Sequence, residues 1–174
     1  YIALPERGKF SVFNRTHYEN VLVTKVHPEY ILAENIPQVE SVDDIDNEFW
    51  EKRYQQINDF EKHIAENGTI IFKFFLNISK EEQHERLQAR LDDPAKHWKF
   101  NPDDLKDRAK WGEFMGGYSE LISKTSTDYA PWYVIPADRK WYRNLTVSQI
   151  VIDTLKSMDM SYPQVDWDPE TIKL

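Results

Sequence analysis

The run 69–78, Thr-Ile-Ile-Phe-Lys-Phe-Phe-Leu-Asn-Ile, most constrains how this chain can fold. It is β-branched, aromatic and apolar almost throughout, which is typical of a strand covered on both faces. Ser79 and Glu82 follow at the spacing of a capping box, so a helix over 80–91 is predicted to begin directly after the strand. A buried strand followed at once by a helix indicates an α/β fold with a parallel sheet.

Apolar spacing predicts the remaining elements. Strands are expected near 10–13 and 132–135, and helices over 47–66, 102–124 and 139–158. Asp46 can cap the first of these helices, and Gly116-Gly117 is expected to kink the second. The chain has 174 residues, the size of one domain, so a single core is expected.

The composition limits the classes of function. A formal net charge of -8 argues against a general nucleic-acid binder, although a local basic channel can still hold a polyanion. The chain has no cysteine, which excludes disulfides and thiolate metal sites and fits a cytoplasmic protein. No apolar run is long enough to cross a bilayer, so no membrane partner is expected. The five histidines do not fall at any metal-ligand spacing.

Polar side chains follow the strand predicted at 10–13. Ligands of α/β proteins collect outside the carboxyl ends of parallel strands, so Asn14, Arg15, His17 and Glu19 are expected to face a binding crevice. The planar fork of donors on Arg15 suits phosphate oxygens. By itself, however, an arginine after a short strand is more often part of a surface ion pair.

Two basic clusters are candidates for phosphate binding. The first lies on two predicted helices and the turn between them, and comprises Arg86, Arg90, Lys96, Lys99 and Arg108. It has the pattern of a mobile lid that closes over phosphates, or of a salt-bridged surface hairpin. The second follows the last strand and comprises Arg139, Lys140 and Arg143. A helix N-terminus there adds donors for an anion, and the alternative is ordinary helix surface charge.

The tryptophans of these segments have two interpretations. Trp98, Trp111, Trp132 and Trp141 are more typical of a core than of platforms that stack on a nucleobase.

Five segments together resemble the second polyphosphate kinase family, which is built like thymidylate kinase. They are FSVFNRTHYENVLV (10–23), FWEKRYQQINDFE (49–61), KFFLNISKEEQ (73–83), DPAKHWKF (93–100) and STDYAPWYVIPADRKWYRN (126–144). Their order and distances are more specific than any single motif. The resemblance covers about 1–163, and 164–174 is expected to be a C-terminal tail.

The resemblance implies a three-layer P-loop kinase-like fold with a parallel sheet and a helical lid over about 80–124. It also implies transfer of a phosphoryl group between inorganic polyphosphate and AMP or ADP, with Mg²⁺, in a protein that is often a homo-oligomer. Asn14, Arg15 and Glu19 would be catalytic, and Glu19 would also hold the metal. The phosphates would be bound by Arg86, Arg90, Lys96, Lys99, Arg108, Arg139, Lys140 and Arg143.

The chain departs from the family pattern at several points. Asn14 and Asn20 stand where the family often has aspartate, and an amide is a weaker partner for magnesium. Gly8-Lys9 is the only Gly-Lys pair, and no glycine-rich turn or apolar strand leads into it, so it is not the family's phosphate-cradling loop. The domain is therefore expected to be incomplete at its N-terminus, and the chain alone to lack part of its phosphate site.

Two alternatives to the kinase interpretation remain open. One is a nucleoside monophosphate kinase that uses a nucleoside triphosphate donor. The other is a non-catalytic polyphosphate-binding module, which the two asparagines and the missing loop would favour.

Overall fold

The computed structural model describes residues 2–162 together with 164 and 166. Over these residues the helices are α1 (His17–Val26), α2 (Asn47–Glu66), α3 (Lys80–Leu91), α4 (Asp104–Ala109), α5 (Trp111–Thr125) and α6 (Lys140–Ser157), and the strands are β1 (Lys73–Asn77) and β2 (Trp132–Pro136). Short 3-10 helices occupy Pro28–Glu34, Val42–Asp44 and Pro94–Lys99. The predicted tail lies outside the described residues except at positions 164 and 166.

The two strands form a parallel sheet, as predicted. Lys73 lies opposite Trp132, and the register continues to Asn77 opposite Pro136. The strand predicted over 69–78 is shorter than expected, because the ladder with β2 spans only the five pairs of β1. Since the strands are parallel, both end at one edge, where α3 and α6 begin.

The core lies where α5 packs against both α1 and α2. Its buried residues are Tyr18, Val21, Leu22, Ile31, Trp50, Tyr54 and Leu121. Gly117 faces α1 so closely that a Cβ atom added there would lie 3.0 Å from Cδ1 of Leu22. This glycine therefore permits close helix packing, and the backbone of α5 stays helical through Gly116 and Gly117.

Several helix boundaries confirm the sequence predictions. The carboxylate of Asp46 accepts a hydrogen bond from the Phe49 amide at 2.9 Å and so caps α2. The helix ends at Glu66, and Gly68 follows it with a positive φ of 91°. Apolar spacing together with a cap was sufficient to define this helix.

The helix predicted over 102–124 is wrong in one respect, because it is two helices that meet at Lys110. The two parts are held by different neighbours. Arg108 on α4 donates to the Lys80 carbonyl of α3 at 2.9 Å, whereas α5 packs against α1. The Lys110 ammonium reaches the Val26 carbonyl at 3.3 Å. Tertiary contacts therefore break a segment whose apolar pattern is continuous.

The strand predicted near 10–13 is also wrong, because these residues form no ladder. A strand needs a neighbour to receive its hydrogen bonds, and within the described residues β1 and β2 pair only with each other. Phe10 and Val12 are consequently 75% and 95% exposed. No helix among the described residues is long and apolar enough to span a membrane.

Candidate functional site

A cleft of about 650 Å³ lies at the carboxyl edge of the sheet. Asn77 and Pro136, the last residues of the two strands, form part of its wall. Lys80 and Arg139 bring positive charge to it, and Trp141 adds an aromatic ring. Parallel α/β proteins bind ligands at this position, because the loops after the strands converge there.

The turns that follow the two strands are tied to each other. The Ser79 hydroxyl caps α3 by accepting from the Glu82 amide at 3.0 Å, as predicted. The reciprocal half of the capping box is absent, since the Ser79 amide donates instead to Asp138 Oδ1 at 2.8 Å. The Ala137 amide donates to the Asn77 carbonyl at 2.8 Å. The base of the cleft is therefore a hydrogen-bonded unit built from both strand ends.

Arg86 joins the same unit. Its Nε donates to Glu82 at 2.7 Å, and its Nη2 donates to the carbonyls of Ala137 at 2.9 Å and Asp138 at 3.3 Å. Its side chain is 28% exposed. Of the predicted phosphate ligands, it makes the most contacts within the protein itself.

The second basic cluster begins at the cleft, whose lining includes Arg139. Arg139 precedes α6 and Lys140 begins it, and both are exposed. Arg143, one turn later, donates through Nε and Nη2 to Asn144 Oδ1 at 3.1 and 2.9 Å. The cluster thus places cations beside the cleft, as the strand-end argument predicted.

The remaining cations of the first cluster lie on what we call the basic hairpin, formed by α3, the 3-10 helix Pro94–Lys99 and α4. Arg108 Nη1 donates to Lys80 O and, at 2.5 Å, to Gln83 Oε1, which places α4 next to the cleft. Arg90 donates to the Lys99 carbonyl at 3.3 Å, and the Lys99 ammonium lies 4.9 Å from the Trp98 ring centroid.

Lys96 is paired with Asp93 at 2.7 Å in the turn of the hairpin. The Lys96 ammonium and the Ala95 amide, which donates to the same carboxylate, hold the pKa of Asp93 below its usual value. Both side chains keep about half of their surface exposed, at 50% and 40%. The pair is therefore an exchangeable surface contact rather than a fixed one.

Asn14, Arg15 and Glu19 lie just before and within the first turn of α1, and none of them lines the cleft. Arg15 is 84% exposed and forms an ion pair with Glu19 at 3.1 Å. In this structure Arg15 therefore forms the surface ion pair that was the alternative expectation. Burial and, to a lesser extent, the charge of Glu19 raise the pKa of Tyr118, whose ring contacts Phe75 of β1.

The structure offers few metal ligands. Within the described residues, no group of three His, Asp or Glu side chains is placed to hold a metal ion. Magnesium usually keeps several waters and takes one or two carboxylates together with substrate phosphates. Glu19 offers a carboxylate and Asn14 an amide oxygen, which are ligand types that magnesium accepts.

The sequence did not reveal a set of polar residues that surrounds a buried ion pair, which we call the buried polar cluster: Tyr18, Glu61, Lys73 and Thr125. The Lys73 ammonium donates to Glu61 Oε2 and the Thr125 carbonyl, both at 2.6 Å, and lies 3.0 Å from the Tyr18 hydroxyl. Tyr18 donates to Glu61 Oε1 at 2.6 Å.

Burial dominates the electrostatics of this cluster. It lowers the pKa of Lys73, an effect that Glu61 opposes by stabilising the ammonium. It raises the pKa of Tyr18, and the neighbouring Glu61 carboxylate raises it further. Two sequence signals could have found the pair, since Lys73 is a lone cation in an apolar strand and Glu61 continues the apolar spacing of Trp50, Tyr54 and Ile57 on α2.

Asn20 has a structural reason to be an amide. Its Nδ2 donates to Glu34 Oε1 at 3.1 Å, and its Oδ1 accepts from Arg53 Nη1 at 3.3 Å. An ionised aspartate can accept but cannot donate, so it could not make both bonds. Asn20 therefore bridges a charged pair on the surface.

The tryptophans are divided between core and surface. Trp132 packs against the core and donates to Thr125 Oγ1 at 2.9 Å, as a core residue should. Trp98 and Trp141 are 79% and 62% exposed, so the core interpretation is wrong for both. Trp98 lies on the basic hairpin and Trp141 lines the cleft. Their exposure depends on the tertiary structure and could not be predicted from residue type alone.

A parallel sheet with helices after both strands and a cleft at its carboxyl edge defines an α/β protein. The family model described as polyphosphate kinase 2 matches residues 1–163. The chain belongs to this family.

Relatives with descriptive names support the assignment. The chain is 46% identical over 161 residues to an ADP-polyphosphate phosphotransferase of Rhodopseudomonas palustris, covering 92% of the chain and 55% of the relative. It is 47% identical over 169 residues to an AMP/ADP-polyphosphate phosphotransferase of Meiothermus ruber, covering 97% and 58%. The crystal structure of polyphosphate kinase 2 from Arthrobacter aurescens TC1 superimposes with a TM-score of 0.83 at 43% identity, covering 96% of this chain and 54% of that one. The chain therefore spans about half the length of these relatives.

Proposed function

We propose that the protein containing this chain transfers a phosphoryl group between inorganic polyphosphate and AMP or ADP. The observation that carries the proposal is the cleft at the carboxyl edge of β1 and β2, which is lined by Lys80 and Arg139 and flanked by the basic hairpin. The names of the relatives from R. palustris and M. ruber support the same substrates.

The cations have a definite part in such a reaction. Phosphoryl transfer depends on positioning the phosphates and neutralising their charge, with little covalent participation by the protein. Arg139, Lys140 and Arg143 would bind phosphates from the rim of the cleft. Arg90, Lys96, Lys99 and Arg108 would bind them from the hairpin. A polyanion would replace their present partners, which are a carboxylate, backbone carbonyls, the Gln83 amide oxygen and an aromatic ring.

Asn14, Arg15 and Glu19 are the proposed catalytic residues. Arg15 is exposed and paired only with Glu19 among the ion pairs of the described residues, so its guanidinium can turn toward a phosphoryl group. Glu19 and Asn14 would hold Mg²⁺ together with phosphate oxygens. The ion, when bound, neutralises charge that develops on the transferred group.

We also propose that the protein is a cytoplasmic homo-oligomer. The cysteine-free composition supports the location. An apolar stripe on α6 supports self-association, since Trp141, Leu145 and Ile152 lie at helical spacing and are 62%, 58% and 44% exposed.

The test is a transfer assay on the product of the complete reading frame that encodes this chain, with Mg²⁺, polyphosphate and either AMP or ADP. Formation of ADP or ATP from polyphosphate supports the proposal and identifies the acceptor. Transfer only from a nucleoside triphosphate would favour an ordinary nucleoside monophosphate kinase. Salt-dependent binding of polyphosphate without transfer would favour a non-catalytic module.

A further inference from the structure

Arg86 combines a carboxylate partner on its own helix with two backbone carbonyls of a distant turn. Its Nε bonds to Glu82, and its Nη2 bonds to the carbonyls of Ala137 and Asp138. The carboxylate of Glu82 already neutralises its charge at 2.7 Å. A phosphate that approached this guanidinium would have to displace a carboxylate on the same helix face, and the two anions would then repel each other.

The bonds of Arg86 belong to a two-way link between the segments that follow the strands. Arg86, on α3, donates to the turn before α6. In return, Asp138 in that turn accepts from the Ser79 amide at the start of α3. The Ala137 amide closes the link by donating to Asn77, the last residue of β1. Each segment therefore restrains the other at the base of the cleft.

The link ends one residue before the cations of the rim. Arg139 and Lys140 follow Asp138 directly, so the direction in which they leave the turn depends on how the turn is held. Small displacements of a positioned group cost large factors in rate. We infer that Arg86 is a positioning residue, which holds the turn 137–138 so that Arg139 and Lys140 face the phosphate chain, and does not itself bind phosphate. This inference rests on the proposed function.

The test compares four variants of the complete protein: Arg86→Gln, Arg86→Lys, Asp138→Ala and Asp138→Asn. Exchange of the Ser79 and Ala137 amides with solvent deuterium reports on the link without any need for activity. In Arg86→Gln and Asp138→Ala we expect this exchange to rise roughly tenfold or more, since the first loses the bonds to both carbonyls of the turn and the second loses the acceptor of the Ser79 amide. Asp138→Asn keeps an oxygen at Oδ1 and should stay near wild type.

Binding and kinetics separate positioning from phosphate contact. In Arg86→Gln the salt dependence of polyphosphate binding should be unchanged, whereas Arg90→Gln should lower its log-log slope by about 0.7. In the transfer assay, kcat of Arg86→Gln should fall roughly tenfold, while KM for polyphosphate changes less than about threefold. Arg86→Lys keeps the charge but cannot reach Glu82 and both carbonyls together, so it should resemble Arg86→Gln.

The control is Gln88→Ala on the same helix. The Gln88 side chain donates a hydrogen bond to Asp92, which is not part of the link. It should match wild type in every measurement. A slope in Arg86→Gln that falls as in Arg90→Gln, with unchanged amide exchange, would overturn the inference and make Arg86 a phosphate ligand. If wild type transfers nothing but exchange still rises in Arg86→Gln and Asp138→Ala, the link stands and the proposed function alone fails.

Discussion

The buried polar cluster and the basic hairpin contain the same kinds of side chain in opposite surroundings. In the cluster, Lys73 and Glu61 are almost fully buried, and the Lys73 ammonium has its partners at 2.6 to 3.0 Å. In the hairpin, Lys96 pairs with Asp93 at a similar distance of 2.7 Å, but both side chains are about half exposed. Burial, rather than the ion pair itself, separates a structural contact from one that a ligand can replace.

The physical reason is the cost of leaving a charge without a partner. Inside the protein an unpaired ammonium or carboxylate loses its hydration and regains nothing, so the pair must stay together. At the surface, water replaces any partner at little cost. Lys96, in the surface pair, can therefore exchange its partner Asp93 for a phosphate, whereas Lys73 must keep Glu61. Four predictions test this difference between buried and exposed charges.

The largest effect is expected in the buried polar cluster. Lys73→Met should leave the Glu61 carboxylate buried without its cation and lower the free energy of unfolding by about 3 to 5 kcal/mol. Urea unfolding followed by circular dichroism measures this change. The double variant Lys73→Met/Glu61→Leu removes both charges and should recover much of the loss. A single variant as stable as wild type would mean that the cluster does not hold the fold.

The next effect concerns catalysis and not stability. Arg15→Ala in the complete protein should lose about 2 to 4 kcal/mol of transition-state stabilisation, because one oriented donor to the transferred group is removed. This corresponds to a fall in kcat/KM of roughly 30- to 900-fold. Arg7→Ala is the matched control, since Arg7 is another exposed arginine near the start of the chain and lies outside the proposed site. Wild-type turnover in Arg15→Ala would refute the proposed role.

A smaller effect is expected from the exposed pair of the hairpin. Lys96→Gln should leave the melting temperature unchanged, because solvent replaces the ion pair with Asp93. The salt dependence of polyphosphate binding should nevertheless weaken, by about 0.7 in log-log slope. Lys62→Gln is the control, because Lys62 has a comparable exposed pair with Glu66 on α2 and should change neither quantity. A marked loss of stability in Lys96→Gln would show that this exposed ion pair is a structural contact, like the buried pair of Lys73 and Glu61.

The smallest effect is a pH dependence at the edge of the buried polar cluster. His17 lies 3.9 Å from Glu61, and burial lowers the pKa of His17 from its ordinary 6.5, an effect that Glu61 opposes and Lys73 reinforces. Between the lowered folded pKa and 6.5 the unfolded state binds more protons, so stability should decrease as the pH falls from above 6.5 through the folded pKa. The effect should be small because the side chain is 45% exposed.

The measurement for His17 is the urea midpoint at several pH values from about 7.5 down to about 5. The wild-type midpoint should fall with acidification more steeply than that of His17→Gln. A wild-type midpoint that rises relative to the variant in this range would show that attraction to Glu61 exceeds the cost of burial.

Local sequence patterns were enough to predict the helices and strands whose ends depend only on neighbouring residues. The run around β1, the cap at Asp46 and the cap at Ser79 needed only neighbouring residues, and each is present. The same reasoning placed Arg139 and Lys140 at a strand end, and the structure puts them beside the cleft. Their charge and their position both follow from short stretches of chain.

The wrong predictions all depended on partners distant in sequence. The residues at 10–13 have the pattern of a strand, but a strand forms only when another strand accepts its hydrogen bonds. The helix after Pro102 was predicted as one piece, and contacts with α3 and α1 divide it at Lys110. Neither outcome can be read from apolar spacing alone.

The sequence by itself determined the family, the order of helix and strand, and which segments carry the cations. Only the tertiary structure decided which charges are buried in ion pairs and which face solvent. Lys73 and Lys96 are equally charged in the sequence, and packing against Tyr18 and Glu61 makes the first a part of the core. Arg86 shows the same point at the cleft, since its partners Ala137 and Asp138 lie about fifty residues away along the chain. Desolvation depends on the whole fold, and so the role of a charge depends on it as well.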